Sequence, residues 1–349
     1  MKRCLLRSAL ALCACLLAAP LPSPAAPYKA EYKLSVVPGA TSGWGMTAAY
    51  FADLVRERSQ GRINIKVYPS SQLLAGKQTS EFLMLRNGAI DFALASTINW
   101  SPQIKELNLT ALPFFLAVQP DRYKAMDAVM AGKSGKMMVD AIEKKGVKII
   151  GWAENGFREM TTSKGPISKP EDMSGLKIRV VGSPIFIETF RALGANPVNM
   201  NWSEATTGFQ QGVVDGQEGC FNNVVTLKFY EAQKYATQIN YSVHSANIIA
   251  SERWLQSLPE KERNALIRAG KEAMLYERTK VADMLATDDK LMQEHGMELL
   301  GVVEDLPEWV GLGRTAWPKC YEVIGDGDAA KGKAVIDVVL AKKEALAKK

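Results

Sequence analysis

Hydrophobic and polar residues in the first part of the chain follow strand and helix periods in turn. Residues 32–37 and 63–67 alternate with a period of two, as strands do. Between them, apolar residues over 46–59 recur at helical spacing. A helix over 79–87 and a short apolar strand over 90–95 follow. This β-α-β-α-β order predicts a parallel sheet flanked by helices.

The same alternation continues through the middle of the chain. It predicts a helix over 121–145, strands over 147–152 and 176–181, and helices over 185–193 and 203–211. The length of 349 residues suggests two domains, yet no low-complexity linker separates them. We therefore expect a hinge that the chain crosses more than once.

A long helix is the strongest signal near the C-terminus. Ser257-Leu258-Pro259-Glu260 reads as a capping box with proline in the first turn, and helix-forming residues continue to His295. The 37 residues from Pro259 to His295 would extend about 55 Å, more than the roughly 30–40 Å width of one domain. The helix is expected to span two lobes, or to break once at Gly270.

The N-terminal residues 1–26 have the layout of a cleaved secretory signal peptide. A basic start precedes an apolar run from Ala9 to Ala19, and Ala25-Ala26 offers a small-residue cleavage site. The alternative is a lipoprotein acylated at Cys15. No later segment has the length of a transmembrane helix, so the mature protein is predicted to be exported and soluble.

Composition narrows the function classes. Apolar residues make up 47% and charged residues 23%, which excludes a disordered chain. Removal of the signal peptide lowers the net charge from +6 to +3 because Lys2, Arg3 and Arg7 leave. Nothing concentrates the remaining charge for nucleic-acid binding. Cys220 and Cys320 are left, either as one disulfide or as two buried thiols.

Common catalytic and cofactor motifs are missing from the sequence. The only histidines are His244 and His295, and no Cys/His cluster or HExxH pair accompanies them. No Gly-x-Ser-x-Gly elbow is present, and Gly132-Lys133-Ser134 lacks the earlier glycine of a P-loop. We predict neither a metal site nor a cofactor, and nothing indicates an enzyme.

Two arginines stand out because they lie in or beside apolar strands. Arg158 follows the strand at 147–152, and Arg179 lies inside the strand at 176–181. A guanidinium group suits bidentate recognition of a carboxylate ligand. An internal salt bridge, for example with Glu154 or Asp172, is the more common explanation for either arginine.

Other polar segments have both a binding and a structural interpretation. The acids of residues 212–219 either bind a metal or cap backbone amides, and capping is the more common role. Ser96-Thr97-Ile98-Asn99-Trp100 follows the carboxyl end of a strand, where α/β proteins bind ligands. Trp44, Trp100 and Trp202 either stack on a ligand or cover the edge of a core.

Several segments together resemble a known family over nearly the whole mature chain. They are Tyr68-Pro69-Ser70-Ser71-Gln72-Leu73, Leu112-Pro113-Phe114-Phe115, Gly156-Phe157-Arg158, Pro170 to Arg179, Leu193-Gly194-Ala195-Asn196-Pro197 and Val214-Asp215-Gly216-Gln217-Glu218. The chain resembles a DctP-type solute-binding protein of a tripartite ATP-independent periplasmic (TRAP) transporter. The resemblance implies an α/β, two-lobe type II periplasmic-binding-protein fold with a long helix spanning both lobes.

The resemblance also implies residue roles. Arg179 falls on the arginine that grips the ligand carboxylate, Arg158 on a second arginine, and Trp202 on an aromatic position of the site. For Arg179 this replaces the salt-bridge interpretation. Gly219 stands where many family members have an asparagine, and Asn222 or Asn223 is the expected substitute.

Four more residues complete the predicted ligand-binding set. They are Thr41, Ser96, Asn99 and Trp100. Lobe I is predicted over residues 27–154 and about 245–284, and lobe II over 155–244 and about 285–349.

The predicted function is a monomeric periplasmic receptor that delivers a small organic acid to the small and large integral-membrane subunits of a TRAP permease. Two loop tryptophans favour a uronate or other sugar acid as the ligand. A C4-dicarboxylate or another organic acid is the alternative. A binding protein for an ATP-driven importer or a sensor would have similar lobes.

Overall fold

The computed structural model describes residues 28–116, 122–303 and 305–347. The strands are β1 (Tyr32–Val36), β2 (Ile65–Tyr68), β3 (Phe92–Ser96), β4 (Val147–Thr162), β5 (Lys177–Val180), β6 (Asn196–Asn199), β7 (Gly216–Gly219), β8 (Tyr235–Ser251) and β9 (Glu298–Val302). The α-helices are α1 (Gly43–Arg58), α2 (Glu81–Arg86), α3 (Thr97–Trp100), α4 (Arg122–Met130), α5 (Lys133–Glu143), α6 (Pro184–Ala192), α7 (Trp202–Gln210), α8 (Phe221–Thr226), α9 (Glu252–Ser257), α10 (Glu260–Glu294), α11 (Leu306–Arg314), α12 (Trp317–Ile324) and α13 (Ala329–Ala347).

The predicted signal peptide lies outside the described residues. Within the described ranges, we find no helix that is both long enough and apolar enough to span a bilayer.

The strands form one mixed sheet in the order β2-β1-β3-β8-β4-β7-β5-β6, and β9 pairs with β8. Strands β1, β2 and β3 are parallel, and so are β5, β6 and β7. Between these groups, β4 and β8 run antiparallel to each other and to their outer neighbours. The parallel sheet predicted from the first three strands is confirmed for β1, β2 and β3, whereas the sheet as a whole is mixed. The arrangement of two parallel groups joined by two shared strands agrees with the predicted α/β, two-lobe architecture.

Strands β4 and β8 connect the two groups and are long, with 16 and 17 residues. The lobe boundaries predicted at 154/155 and 244/245 both fall inside them. The β4–β8 register shifts between Glu154 and Phe157, beside the first boundary. Such a bulge bends a strand locally. A hinge at this point remains a prediction.

Helix α10 confirms the long helix expected from the sequence. Its 35 residues extend about 53 Å at 1.5 Å per residue. It packs against α1 and β4 near one group of strands and against α8 and β9 near the other. The predicted capping box is wrong, because Ser257 ends α9 and its hydroxyl donates to the Trp254 carbonyl. Pro259 is the residue before the first turn of α10.

Gly270 allows a close helix–strand contact and does not break α10. A Cβ atom at this position would lie 2.3 Å from Ile150 Cγ2, and one on Gly151 would lie 2.6 Å from the Gly270 carbonyl oxygen. Real Cβ atoms do not approach that closely, so both glycines are needed for the α10–β4 crossing.

Two further predictions are resolved by the structure. The helix expected over 121–145 is two helices, α4 and α5, separated at Ala131-Gly132. A Cβ atom on Gly135 would lie 1.9 Å from the Met130 carbonyl oxygen, so the tight junction requires glycine. Cys220 and Cys320 are both buried free thiols, so they do not form the disulfide that was the other alternative.

Aromatic rings organise the hydrophobic cores. Phe114, Phe186 and Phe190 pack edge-to-face around Tyr241 on β8. A separate cluster beneath β1 and β3 contains Phe51, and a third contains Phe209 and Phe229. Edge-to-face pairs of this kind stabilise a core beyond the area that they bury. These packed rings support the strands whose ends carry the polar residues of the site.

Candidate ligand-binding site

A cleft lies where strands from both parallel groups and both shared strands meet. The space between its walls is about 440 Å³, including the part that is open to solvent. The residues that line it are Val37, Pro38, Trp44, Gln78, Ser96, Ile98, Asn99, Arg158, Arg179, Val181, Trp202, Gly219, Asn223 and His244. Clefts at the carboxyl ends of strands are the usual ligand sites of open α/β sheets.

Arg179 on β5 carries a positive charge that is buried without an ion-pair partner among the described residues. Its side chain is 1% exposed. Nε donates to the Met200 carbonyl at 3.0 Å, whereas the buried Nη2 has no hydrogen-bond partner. The guanidinium carbon lies 5.3 Å from the ring centre of Trp202. Burial lowers the pKa of Arg179 to about 10, with nearby Arg158 adding to the effect and Glu218 opposing it.

Arg158 on β4 is neutralised by Glu218 on β7. Its Nε lies 2.5 Å from Glu218 Oε2, and its Nη2 donates to the Glu218 carbonyl at 3.3 Å. Tyr241 donates its hydroxyl to the same carboxylate oxygen. Burial on its own would lower the pKa of Arg158, but the paired Glu218 carboxylate outweighs it and raises that pKa. The salt-bridge interpretation therefore holds for Arg158.

The partners suggested for that salt bridge were wrong. Glu154 instead pairs with Arg278 on α10, at 2.8 Å. Asp172 accepts hydrogen bonds from the backbone amides of Ser168 and Lys169. Glu218 lies 60 residues from Arg158, and only the β4–β7 pairing brings the two together.

The charges leave the cleft with one unbalanced positive charge. Arg158 and Glu218 cancel, and Arg179 remains. The His244 ring packs against Trp44 with ring centres 5.2 Å apart and the ring planes tilted by 47°. Burial, with Arg158 and Arg179 nearby, holds the pKa of His244 well below 6.5, so its imidazole is neutral at pH 7. The remaining lining residues are uncharged.

Four of the predicted residues besides the arginines line this cleft. Ser96 accepts a hydrogen bond from the Ile98 amide at the start of α3 and lies 2.9 Å from His244 Nε2. Asn99 accepts from the Gln78 side chain at 3.0 Å. Trp202 begins α7, and Gly219 ends β7.

The structure does not bring Thr41, Trp100 or Asn222 to the lining. Thr41 is exposed on the loop before α1. Trp100 is buried in the core, where its indole donates to Glu81 at 3.2 Å. Asn222 donates to Asn155 at 2.8 Å, whereas Asn223, one position further along α8, lines the cleft.

Sequence reasoning missed Gln78 and His244. Gln78 begins a 3-10 turn, Gln78–Ser80, between β2 and α2, and no recognisable motif marks it. His244 lies inside the apolar run of β8, a strand that was not predicted, and a lone histidine inside such a run was its one signal.

The acids of residues 212–219 have the predicted structural role. Asp215 accepts a hydrogen bond from the Lys177 amide at 2.9 Å, and Glu218 pairs with Arg158. In the described part of the chain, no group of three or more His, Cys, Asp or Glu residues is arranged to hold a metal ion.

Comparison with known proteins assigns the chain to a family. The model of DctP, described as bacterial extracellular solute-binding protein, family 7, matches residues 34–322. The chain belongs to the DctP family. It is thereby a DctP-type solute-binding protein of the TRAP class.

A solved TRAP periplasmic solute-binding protein from Ralstonia eutropha H16 is similar to this DctP-family chain. The two are 40% identical with a TM-score of 0.82, over 89% of this chain and 99% of the other. That protein has (S)-2-hydroxy-2-methyl-3-oxobutanoate, (S)-2-acetolactate, bound. The structural likeness confirms the predicted fold class.

Two curated relatives bind other acids. The 2,3-diketo-L-gulonate-binding periplasmic protein of Escherichia coli K12 is 31% identical over 74% of this chain and 77% of its own. The C4-dicarboxylate-binding periplasmic protein of Rhodobacter capsulatus is 30% identical over 89% of each chain. Members of the family thus bind different organic acids.

Proposed function

We propose that the protein is a periplasmic receptor for a small organic acid carrying one carboxylate, which it delivers to a TRAP permease. The observation that carries this proposal is Arg179, a buried guanidinium with an unpartnered Nη2 and no ion-pair partner among the described residues. A buried charge without a partner is costly. A carboxylate that enters the cleft supplies the missing partner in the geometry a guanidinium favours.

The charge balance favours a singly charged acid. One carboxylate neutralises Arg179, and a second carboxylate would meet only Arg158, which Glu218 already neutralises. This argues against a C4-dicarboxylate, the alternative ligand considered from the sequence.

The walls of the cleft favour a compact acid with an apolar part. Val37, Ile98 and Val181 line it beside the tryptophans. Trp44 adds a buried indole N–H without a partner, which suits a hydroxyl or keto oxygen on the ligand. Acetolactate, bound by the relative with 40% identity, has these features. We therefore favour a short hydroxy or keto acid over the uronate expected from the sequence.

The proposed mechanism begins when the carboxylate docks on Arg179. The wall carrying Ser96 and Asn99 then closes over the acid, with Arg158 adding a polar contact. Closure expels water and strengthens the ion pair, because the local dielectric falls. The receptor acts without catalysis and as a monomer. Residues 1–26 direct its export and are then cleaved off. The mature receptor delivers its ligand to the small and large integral-membrane subunits of the permease.

A thermal-shift screen of residues 27–349 tests the proposal. The panel contains short hydroxy and keto acids, C4-dicarboxylates, uronates and neutral sugars. A ligand at 100 times its Kd adds about 2.7 kcal/mol of stability. We expect the largest rise in Tm with a short monocarboxylate. Stabilisation by neutral sugars alone would contradict the role given to Arg179.

A further inference from the structure

Gln78 joins two segments that begin at opposite edges of the sheet. It follows β2 along the chain, whereas Trp202 follows β6, and these strands are the two ends of the sheet order. Gln78 Oε1 accepts a hydrogen bond from the Trp202 backbone amide at 2.8 Å. Its Nε2 donates to Asn99 Oδ1 at 3.0 Å. The side chain thus connects the two facing walls of the cleft.

The neighbouring residues are shaped for the same contact. Ser203 donates its hydroxyl to the Gly76 carbonyl at 3.3 Å. Gly76 has a φ of +78°, and a Cβ atom there would lie 2.6 Å from Ser203 Oγ. A side chain at this position would push the Ser203 hydroxyl away from the Gly76 carbonyl, so glycine preserves the contact. Gly76, Gln78, Trp202 and Ser203 together form a contact that we call the latch.

The latch is coupled to the carboxylate site through Arg179. Gln78 holds Trp202, whose ring lies against the Arg179 guanidinium, 5.3 Å from ring centre to carbon. Arg179 in turn donates to Met200, two residues before Trp202. Gln78 itself is 4% exposed, so separating the walls would break its hydrogen bonds and wet the segment that positions Arg179.

We propose that Gln78 is a positioning residue that keeps the cleft closed over its bound acid and so sets the dissociation rate. The inference rests on the proposed function for the identity of the ligand. In the ligand-free protein the latch opens and recloses, and the acid enters while the walls are apart. Loss of the latch therefore accelerates escape far more than it changes entry.

The test compares Gln78→Ala with Gln72→Ala by stopped-flow fluorescence, with (S)-2-acetolactate as the probe. Gln72 is an exposed glutamine six positions earlier that also begins a 3-10 turn between β2 and α2, which makes it a matched control. Leaving buried partners unsatisfied costs about 1–3 kcal/mol. We expect the dissociation rate constant of Gln78→Ala to rise about tenfold to a hundredfold. The association rate constant should not fall below that of Gln72→Ala. The ligand-free Tm should stay close to that of Gln72→Ala, because a ligand-free protein that is already partly open gains little stability from the latch.

Three results would overturn the latch. They are an unchanged dissociation rate, an equal loss in the association rate, or a lower ligand-free Tm, which indicates general structural damage. If the wild-type protein binds no acid of the panel, the proposed function fails and small-angle scattering decides on the latch. Gln78→Ala must then have a larger radius of gyration than the wild type and Gln72→Ala. Equal radii would refute the latch.

Discussion

Replacing Arg179 with methionine should separate stability from binding. Methionine keeps much of the side-chain volume and removes the buried charge. Lowering a pKa from 12.5 to about 10 on folding corresponds to roughly 3 kcal/mol against the folded state at neutral pH. The cost is fully present below about pH 10 and fades as the pH rises towards the unfolded value. The substitution also removes the hydrogen bond to Met200, which offsets about 1 kcal/mol of that gain in stability.

The ligand-free Arg179→Met protein should therefore be more stable than the wild type by about 2 kcal/mol in urea unfolding at pH 7. The same substitution should weaken acid binding by about 2–5 kcal/mol, or roughly 30- to 5,000-fold, in isothermal titration calorimetry. Arg179→Lys should also bind poorly, because an ammonium group lacks the planar fork. A less stable Arg179→Met protein, or one with undiminished affinity, would refute the view that this charge is retained for the ligand.

Three other substitutions probe the surrounding structure. Arg158→Met should lower the unfolding free energy of the ligand-free protein by about 3–5 kcal/mol, opposite to the gain expected for Arg179→Met, because Glu218 stays buried without its ion-pair partner. An unchanged urea midpoint would exclude that ion pair. Glu81 is buried, which raises the pKa of its carboxyl to about 8. Unfolding free energy should therefore fall between about pH 5 and 8, and urea titrations of Glu81→Gln should lack that component. Gly270→Ala should destabilise by about 1–3 kcal/mol through the clash with Ile150; a gain in Tm, as at an exposed helical glycine, would contradict the close crossing.

Local patterns determined most of the elements that could be predicted. Strands β1 and β3 and helices α1, α6 and α7 lie within a few residues of their expected positions, because their periodicity and flanking glycines are local signals. Strand β8 was missed, and β4 was predicted ten residues too short. Both are shared by the two groups of strands and buried on both faces, so the alternation that marks a half-buried strand is absent.

The site was only partly predictable, because long-range pairing decides which side chains reach it. Arg179 and Arg158 have the same local appearance, and only the β4–β7 pairing gives Glu218 to Arg158 alone. Asn222 and Asn223 differ by about 100° around a helix, so the start of α8 decides which one faces the cleft. A shift of one residue in that start would exchange their roles.

The most direct test of the account is a crystal structure of the mature protein with the tightest-binding acid from the panel. We predict a carboxylate oxygen within hydrogen-bond distance of Arg179 Nη2, with the Arg158–Glu218 pair intact. A carboxylate held by other groups, with Nη2 still unpartnered, would contradict the central claim that Arg179 recognises the ligand.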